Sequence, residues 1–84
     1  MKVIYKYKLV PRTPVKMAAG AKVLTAASQR NDICIWAEAD DSVGEELRYF
    51  EIIPTGGVIE DEVQLKYINT VFVRELVFHI YENL

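Results

Sequence analysis

Few side chains in this sequence are equipped for covalent or acid–base chemistry. His79 is the only histidine and Cys34 the only cysteine, so a nucleophile activated by an imidazole base has a single possible construction. Cys34 lies inside the apolar run Ile33-Cys34-Ile35-Trp36-Ala37, where a thiol behaves as a small inert hydrophobe. No catalytic pair is therefore expected. His79 is read as a hydrogen-bonded residue on a sheet face with Val77 and Tyr81, or as part of a binding surface. The carboxylates Asp40, Asp41, Glu45, Glu46, Glu60, Asp61 and Glu62 are numerous, yet they match no loop spacing that holds a hard cation. The chain is expected to be non-catalytic, with no metal and no cofactor.

Binding chemistry is better represented. Thr55-Gly56-Gly57 offers a run of backbone N–H groups that can cradle an anion, although a strand-ending turn is the simpler reading. Arg48 leads the preceding segment, and its planar guanidinium matches phosphate geometry. Arg30 and Arg12 are further cationic candidates. Aromatic partners are available in Trp36, Tyr49 and Tyr81, and rings beside arginines suit stacking on nucleobases. Trp36 alternates away from Ile33, Ile35 and Ala37, so it faces a second layer, a partner or a ligand.

These residues must be positioned by strands. Apolar residues recur at every second position in Val3-Ile4-Tyr5-Lys6-Tyr7-Lys8-Leu9 and Leu76-Val77-Phe78-His79-Ile80-Tyr81, a strand period, and no segment carries a helical one. Strands are predicted over residues 2–9, 22–29, 33–39, 47–53, 66–73 and 75–83. The first has three lysines on one face, as suits an edge, and Pro11 and Pro14 end its pairing. Arg30-Asn31-Asp32 turns the second predicted strand back onto the third. Ser42 and Glu45 have capping-box spacing, enough for one helical turn at most. The fold class expected is all-β, with about six mainly antiparallel strands in a small sandwich or partly open barrel, forming one domain over residues 1–84.

Composition narrows the setting. A net charge of −2 argues against binding long nucleic acid, which favours basic domains. No apolar run approaches the roughly 18 residues that a membrane span requires, and the N-terminus, alternating lysine with aromatics, is unlike a signal peptide. An unpaired cysteine suits a reducing cytoplasm. Several strands are apolar on both faces, and 84 residues cover both poorly, so a homo-oligomer is expected.

The ordered segments Lys6-Tyr7-Lys8-Leu9, Met17-Ala18-Ala19-Gly20-Ala21-Lys22-Val23-Leu24, Ile35-Trp36-Ala37 with Asp40, Arg48-Tyr49-Phe50, Thr55-Gly56, Tyr67-Ile68-Asn69-Thr70 and Leu76-Val77-Phe78-His79-Ile80-Tyr81-Glu82 resemble a family of short uncharacterised bacteriophage and prophage proteins, classed as a domain of unknown function. Gly57 stands where many members of that family carry histidine. The resemblance implies a phage protein that counters host defence in the bacterial cytoplasm by sequestering an anionic small molecule such as a nucleotide immune messenger. Arg48, Arg30 or Arg12 would meet its phosphates, and Trp36, Tyr49 or Tyr81 its bases. The alternative reading is a protein-interaction module that presents its sheet surface or edge to a host or phage protein.

Overall fold

The computed structural model describes all 84 residues. The chain forms seven strands and no helix: β1 (Lys2–Lys8), β2 (Val15–Ala18), β3 (Lys22–Gln29), β4 (Asp32–Asp40), β5 (Glu45–Pro54), β6 (Leu65–Val73) and β7 (Leu76–Asn83). They build a three-stranded sheet ordered β1-β4-β3 and a four-stranded sheet ordered β2-β5-β7-β6, with every neighbouring pair antiparallel. The architecture is an open sandwich. It has one strand beyond those predicted, because β2 follows Pro14 directly. Proline is compatible with the start of an edge strand, where its missing donor leaves no ladder bond unmade.

The alternation read from the sequence sets the faces. From β4, Ile35, Ala37 and Ala39 enter the core between the sheets, where they meet Leu9, Val15, Met17, Ala26, Phe50, Val71 and Ile80. Met17, Ile35 and Ile80 are fully buried. Alanines at Ala26, Ala37 and Ala39 let the sheets approach, and the molecule is thin, 40 × 33 × 18 Å. Only 13 residues are buried, so much of the apolar surface lies outside the core. As expected, β1 is an edge strand with Lys2, Lys6 and Lys8 exposed.

The turns follow local chemistry. Arg30 and Asn31 both take positive φ (53° and 68°) between β3 and β4, the pattern of a two-residue hairpin whose twist matches its strands. The single helical turn that the spacing of Ser42 and Glu45 allowed does not form. Instead the Ser42 N–H and hydroxyl both donate to Asp40 Oδ1, at 2.9 and 2.6 Å, closing an Asx-type turn. These bonds hold the Asp40 carboxyl below its ordinary pKa. Gly57 packs so closely on the end of β5 that a Cβ there would stand 2.9 Å from both Ile53 Cγ2 and the Pro54 carbonyl oxygen.

β5 and β6 are both antiparallel to β7, so they run parallel to each other and residues 55–64 must return the length of the sheet. Val58, Ile59 and Val63 of this connection border a small hollow with Glu51, Ile53, Leu65 and Asn83, placing the crossing on the outer face.

Both β3 and β6 are bulged, between Val23 and Thr25 and between Tyr67 and Asn69. They lie at edges of different sheets, and one side chain joins them. The Ala26 N–H donates to Asn69 Oδ1 and Asn69 Nδ2 donates to the Ala26 carbonyl, each at 2.7 Å. On the other flank, β1 and β2 remain separate and border an open cleft of about 580 Å³ that also includes Asp40, Asp41 and Glu45.

Candidate functional site

The residues singled out from the sequence fall in four places. Trp36 occupies the outer face of the three-stranded sheet. In register it stands between Lys6 of β1 and Thr25 of β3, and its ring is half-buried. Period-two alternation puts Lys2, Lys8 and Lys22 on the same face. Lys2 is 3.8 Å from Glu38 and Lys8 is 3.5 Å from Asp32. Lys6 instead donates to the Gln29 side-chain oxygen at 2.7 Å, so its charge has no carboxylate partner. Lys6, Lys8, Gln29, Arg30, Asp32 and Cys34 line a hollow of about 330 Å³ beside Trp36, three cations against one carboxylate, within the size range of small-ligand sites. Arg30 and Trp36 thus lie along one surface. The sequence reading missed Lys6 and Lys8 as site residues; their alternation was visible, but the pairing of β1 with β4 was not.

Arg48 is elsewhere. It points between the sheets, where Nε donates to Glu82 Oε2 at 2.6 Å and Nη2 donates to Glu82 Oε1 at 2.7 Å. Nη1 donates to the Ala21 carbonyl. The guanidinium that was expected to meet phosphate is therefore engaged on two edges, and hydrogen bonding to Glu82 raises its pKa further. Glu82 is 7% exposed. Charge-assisted bonds of this forked kind are among the strongest a side chain makes. Arg48 and Trp36 share no cavity, because one faces the interior and the other the far surface of the opposite sheet. The signal for the pair was present: Arg48 alternates with Phe50 and Ile52, and Glu82 with Phe78 and Ile80, so opposite charges end two apolar rows on strands that become neighbours.

Tyr49, Thr55, His79 and Tyr81 gather on or beside the outer face of the four-stranded sheet, with Gly56 in the turn at its end. His79 is bonded through both ring nitrogens: Nε2 lies 2.9 Å from the Thr55 hydroxyl and Nδ1 lies 3.0 Å from that of Thr70. Thr70 also bonds the Tyr67 hydroxyl at 2.6 Å. A neutral imidazole offers one donor and one acceptor, and two hydroxyls satisfy both. Tyr67 and Tyr81 stack edge to face at 5.3 Å. Tyr49, Tyr67 and Phe72 are more than half exposed. Gly56 has φ +89°, as a turn requires, and the N–H of Gly57 is bonded to the Pro54 carbonyl.

Arg12 and Arg30 occupy turns at one end of the sandwich, both at positive φ, and Arg74 does the same in the β6–β7 turn. Arg74 was not singled out from the sequence. Cys34 is buried on the outer face of the three-stranded sheet, the opposite side of the molecule from His79, so the two cannot pair. No three of the histidine, cysteine, aspartate and glutamate side chains come close enough together to hold a metal ion. No helix is long and apolar enough to cross a membrane.

Compared with known families, residues 1–84 match the model of a domain of unknown function, DUF7352. The chain belongs to this family. No curated protein and no solved structure matches it.

Proposed function

We propose that this DUF7352 protein is a non-catalytic binding module that holds an anionic, nucleotide-type small molecule on the outer face of its three-stranded sheet. The observation that carries this reading is Trp36, set in register beside the unpaired charge of Lys6 and next to the hollow lined by Lys8 and Arg30. A base would stack on the indole while phosphates lie among the three cations. Such a site would bind without chemistry, since the Cys34 thiol that lines the hollow is buried and has no imidazole partner. In this proposal the protein works in a bacterial cytoplasm as a phage counter-defence factor, lowering the free concentration of a nucleotide signal by sequestration.

Trp36 is the only tryptophan, so its fluorescence reports the site directly. Titration with cyclic dinucleotides and ADP-ribose derivatives is expected to quench it saturably. Trp36→Ala, followed by calorimetry with the ligand so found, is expected to weaken binding by about 1 to 3 kcal/mol, the worth of one base stack. A panel that leaves the fluorescence unchanged, or an affinity unaltered in Trp36→Ala, removes the site.

A second reading is favoured by the opposite face, where Tyr49, Tyr67 and Phe72 are exposed together. Aromatic residues are enriched in protein interfaces, and this surface would receive a second copy of the chain or a host or phage protein. Sedimentation of the native chain beside Phe72→Glu distinguishes the self-association branch: an assembly dispersed by the substitution supports it, and a monomer at every micromolar concentration rejects it.

A further inference from the structure

Three of the four arginines in the chain sit in the left-handed region, Arg12 at φ 62°, Arg30 at φ 53° and Arg74 at φ 55°. Glycine and asparagine are the residues such positions favour, because a Cβ there crowds the backbone. Each arginine belongs to a different turn, and all three turns lie at the same end of the sandwich. Backbone strain retained at several positions around one feature is a reason to look for what the side chains do.

That feature is an opening between the sheets. A hollow of about 420 Å³ at this end is walled by Leu9, Ile33, Ile52, Val73, Leu76 and Phe78. Its rim includes Pro11 and Asn31, so that each arginine is the chain neighbour of a residue lining the hollow: Arg12 of Pro11, Arg30 of Asn31 and Arg74 of Val73. Lys8 lines it as well. The carboxylates at this end are Asp32, 3.5 Å from Lys8 Nζ, and Glu75 in the β6–β7 turn, leaving the cations in excess. Apart from Lys8, Asn31 and Asp32 the lining is hydrocarbon. An apolar hollow whose surrounding turns carry three arginines has the complementary profile of an amphiphilic anion.

We propose that this end of the sandwich binds single molecules of an amphiphilic anion, with the alkyl chain between the sheets and a phosphate or carboxylate head among Arg12, Arg30 and Arg74. The site adjoins the Trp36 surface and shares Arg30 and Lys8 with it, but the apolar walls, Arg12 and Arg74 belong to it alone. A glycine at Arg12 or Arg74 keeps the turn geometry and removes the guanidinium, so the double variant Arg12→Gly/Arg74→Gly folds at least as well as the native chain.

The test is calorimetric titration with decyl phosphate below its micelle concentration, beside decyl maltoside, inorganic phosphate and vesicles of anionic lipid. Native protein is expected to bind decyl phosphate at least tenfold more tightly than either the neutral detergent or inorganic phosphate. The double glycine variant is expected to lose at least tenfold in affinity with no fall in its thermal midpoint, while Leu76→Asp, which charges the apolar wall, loses binding too. Equal affinity in the glycine variant, equal binding of decyl maltoside, no binding of decyl phosphate, or binding to vesicles alone overturns the proposal. Nucleotide titration of the glycine variant is the control, because Lys6, Lys8 and Arg30 beside Trp36 are unchanged there.

Discussion

Arg48→Ala is expected to destabilise the protein by about 3 to 5 kcal/mol, the cost of leaving one member of a buried ion pair alone. The substitution strips both Glu82 oxygens and the Ala21 carbonyl of their donors. Glu82 is 7% exposed, so its carboxylate is largely desolvated and depends on the guanidinium for its hydrogen bonds. For a small domain a loss of this size is a large part of the total stability. Replacing both partners by apolar residues of similar volume, Arg48→Met with Glu82→Leu, should recover most of the loss, since buried pairs are often no better than well-packed hydrocarbon. Urea denaturation of the two single variants and the double variant measures this coupling. A change below about 1 kcal/mol in Arg48→Ala, the range of exposed pairs, would show that the pair is solvated.

The second large effect is expected at Asn69. Its side-chain amide imitates a strand: it accepts from the N–H and donates to the carbonyl of Ala26, both at 2.7 Å. Ala26 is buried at 3% exposure. Asn69→Ala leaves the Ala26 N–H without its side-chain partner and the Ala26 carbonyl with only the long 3.4 Å bond from the Thr25 hydroxyl, and at roughly 1 to 3 kcal/mol for each lost bond the expected loss is about 2 to 4 kcal/mol. Asn69→Asp keeps the acceptor but sets a carboxylate oxygen against the Ala26 carbonyl, so it should be no better than alanine near neutral pH. The local signature is amide exchange at Ala26, which should accelerate in both variants ahead of the core strands. Unchanged protection at that amide would mean that the sheets are joined by their apolar contacts alone.

Both expectations bear on function through rigidity. The Asn69 bridge fixes β3 relative to the second sheet, and β3 supplies Thr25 and Gln29 to the Trp36 surface. The Arg48–Glu82 pair closes the interior at the far end from the arginine-rimmed hollow. A guanidinium that the residue pattern offered to a ligand is thus tied to a buried carboxylate, and the cations left on an outer surface include those the pairing of strands brings around Trp36.

Period-two alternation was enough to establish the all-β class, the edge position of β1, the β3–β4 hairpin and the placing of Trp36 on the face opposite Ile35 and Ala37. It works because side-chain direction in a strand is a local property, fixed by the pleat. The chemistry of single residues was also enough to place Cys34 in the packed interior of a strand, where the structure buries it. What the sequence left open was which strands become neighbours. Strand β2 was missed because four residues between prolines and small residues carry too short an alternation to count. Whether Ser42 would cap a turn ahead or bond back to Asp40 was also open, and the structure shows the bond to Asp40. Arg48 found Glu82, Asn69 found Ala26, and Lys6 came to lie beside Trp36 through contacts 34, 43 and 30 residues apart in the chain. Separations of that length leave no periodic trace, because they are set by the order and register of sheets, and it is there that a cation becomes either a buried partner or a free charge on a surface.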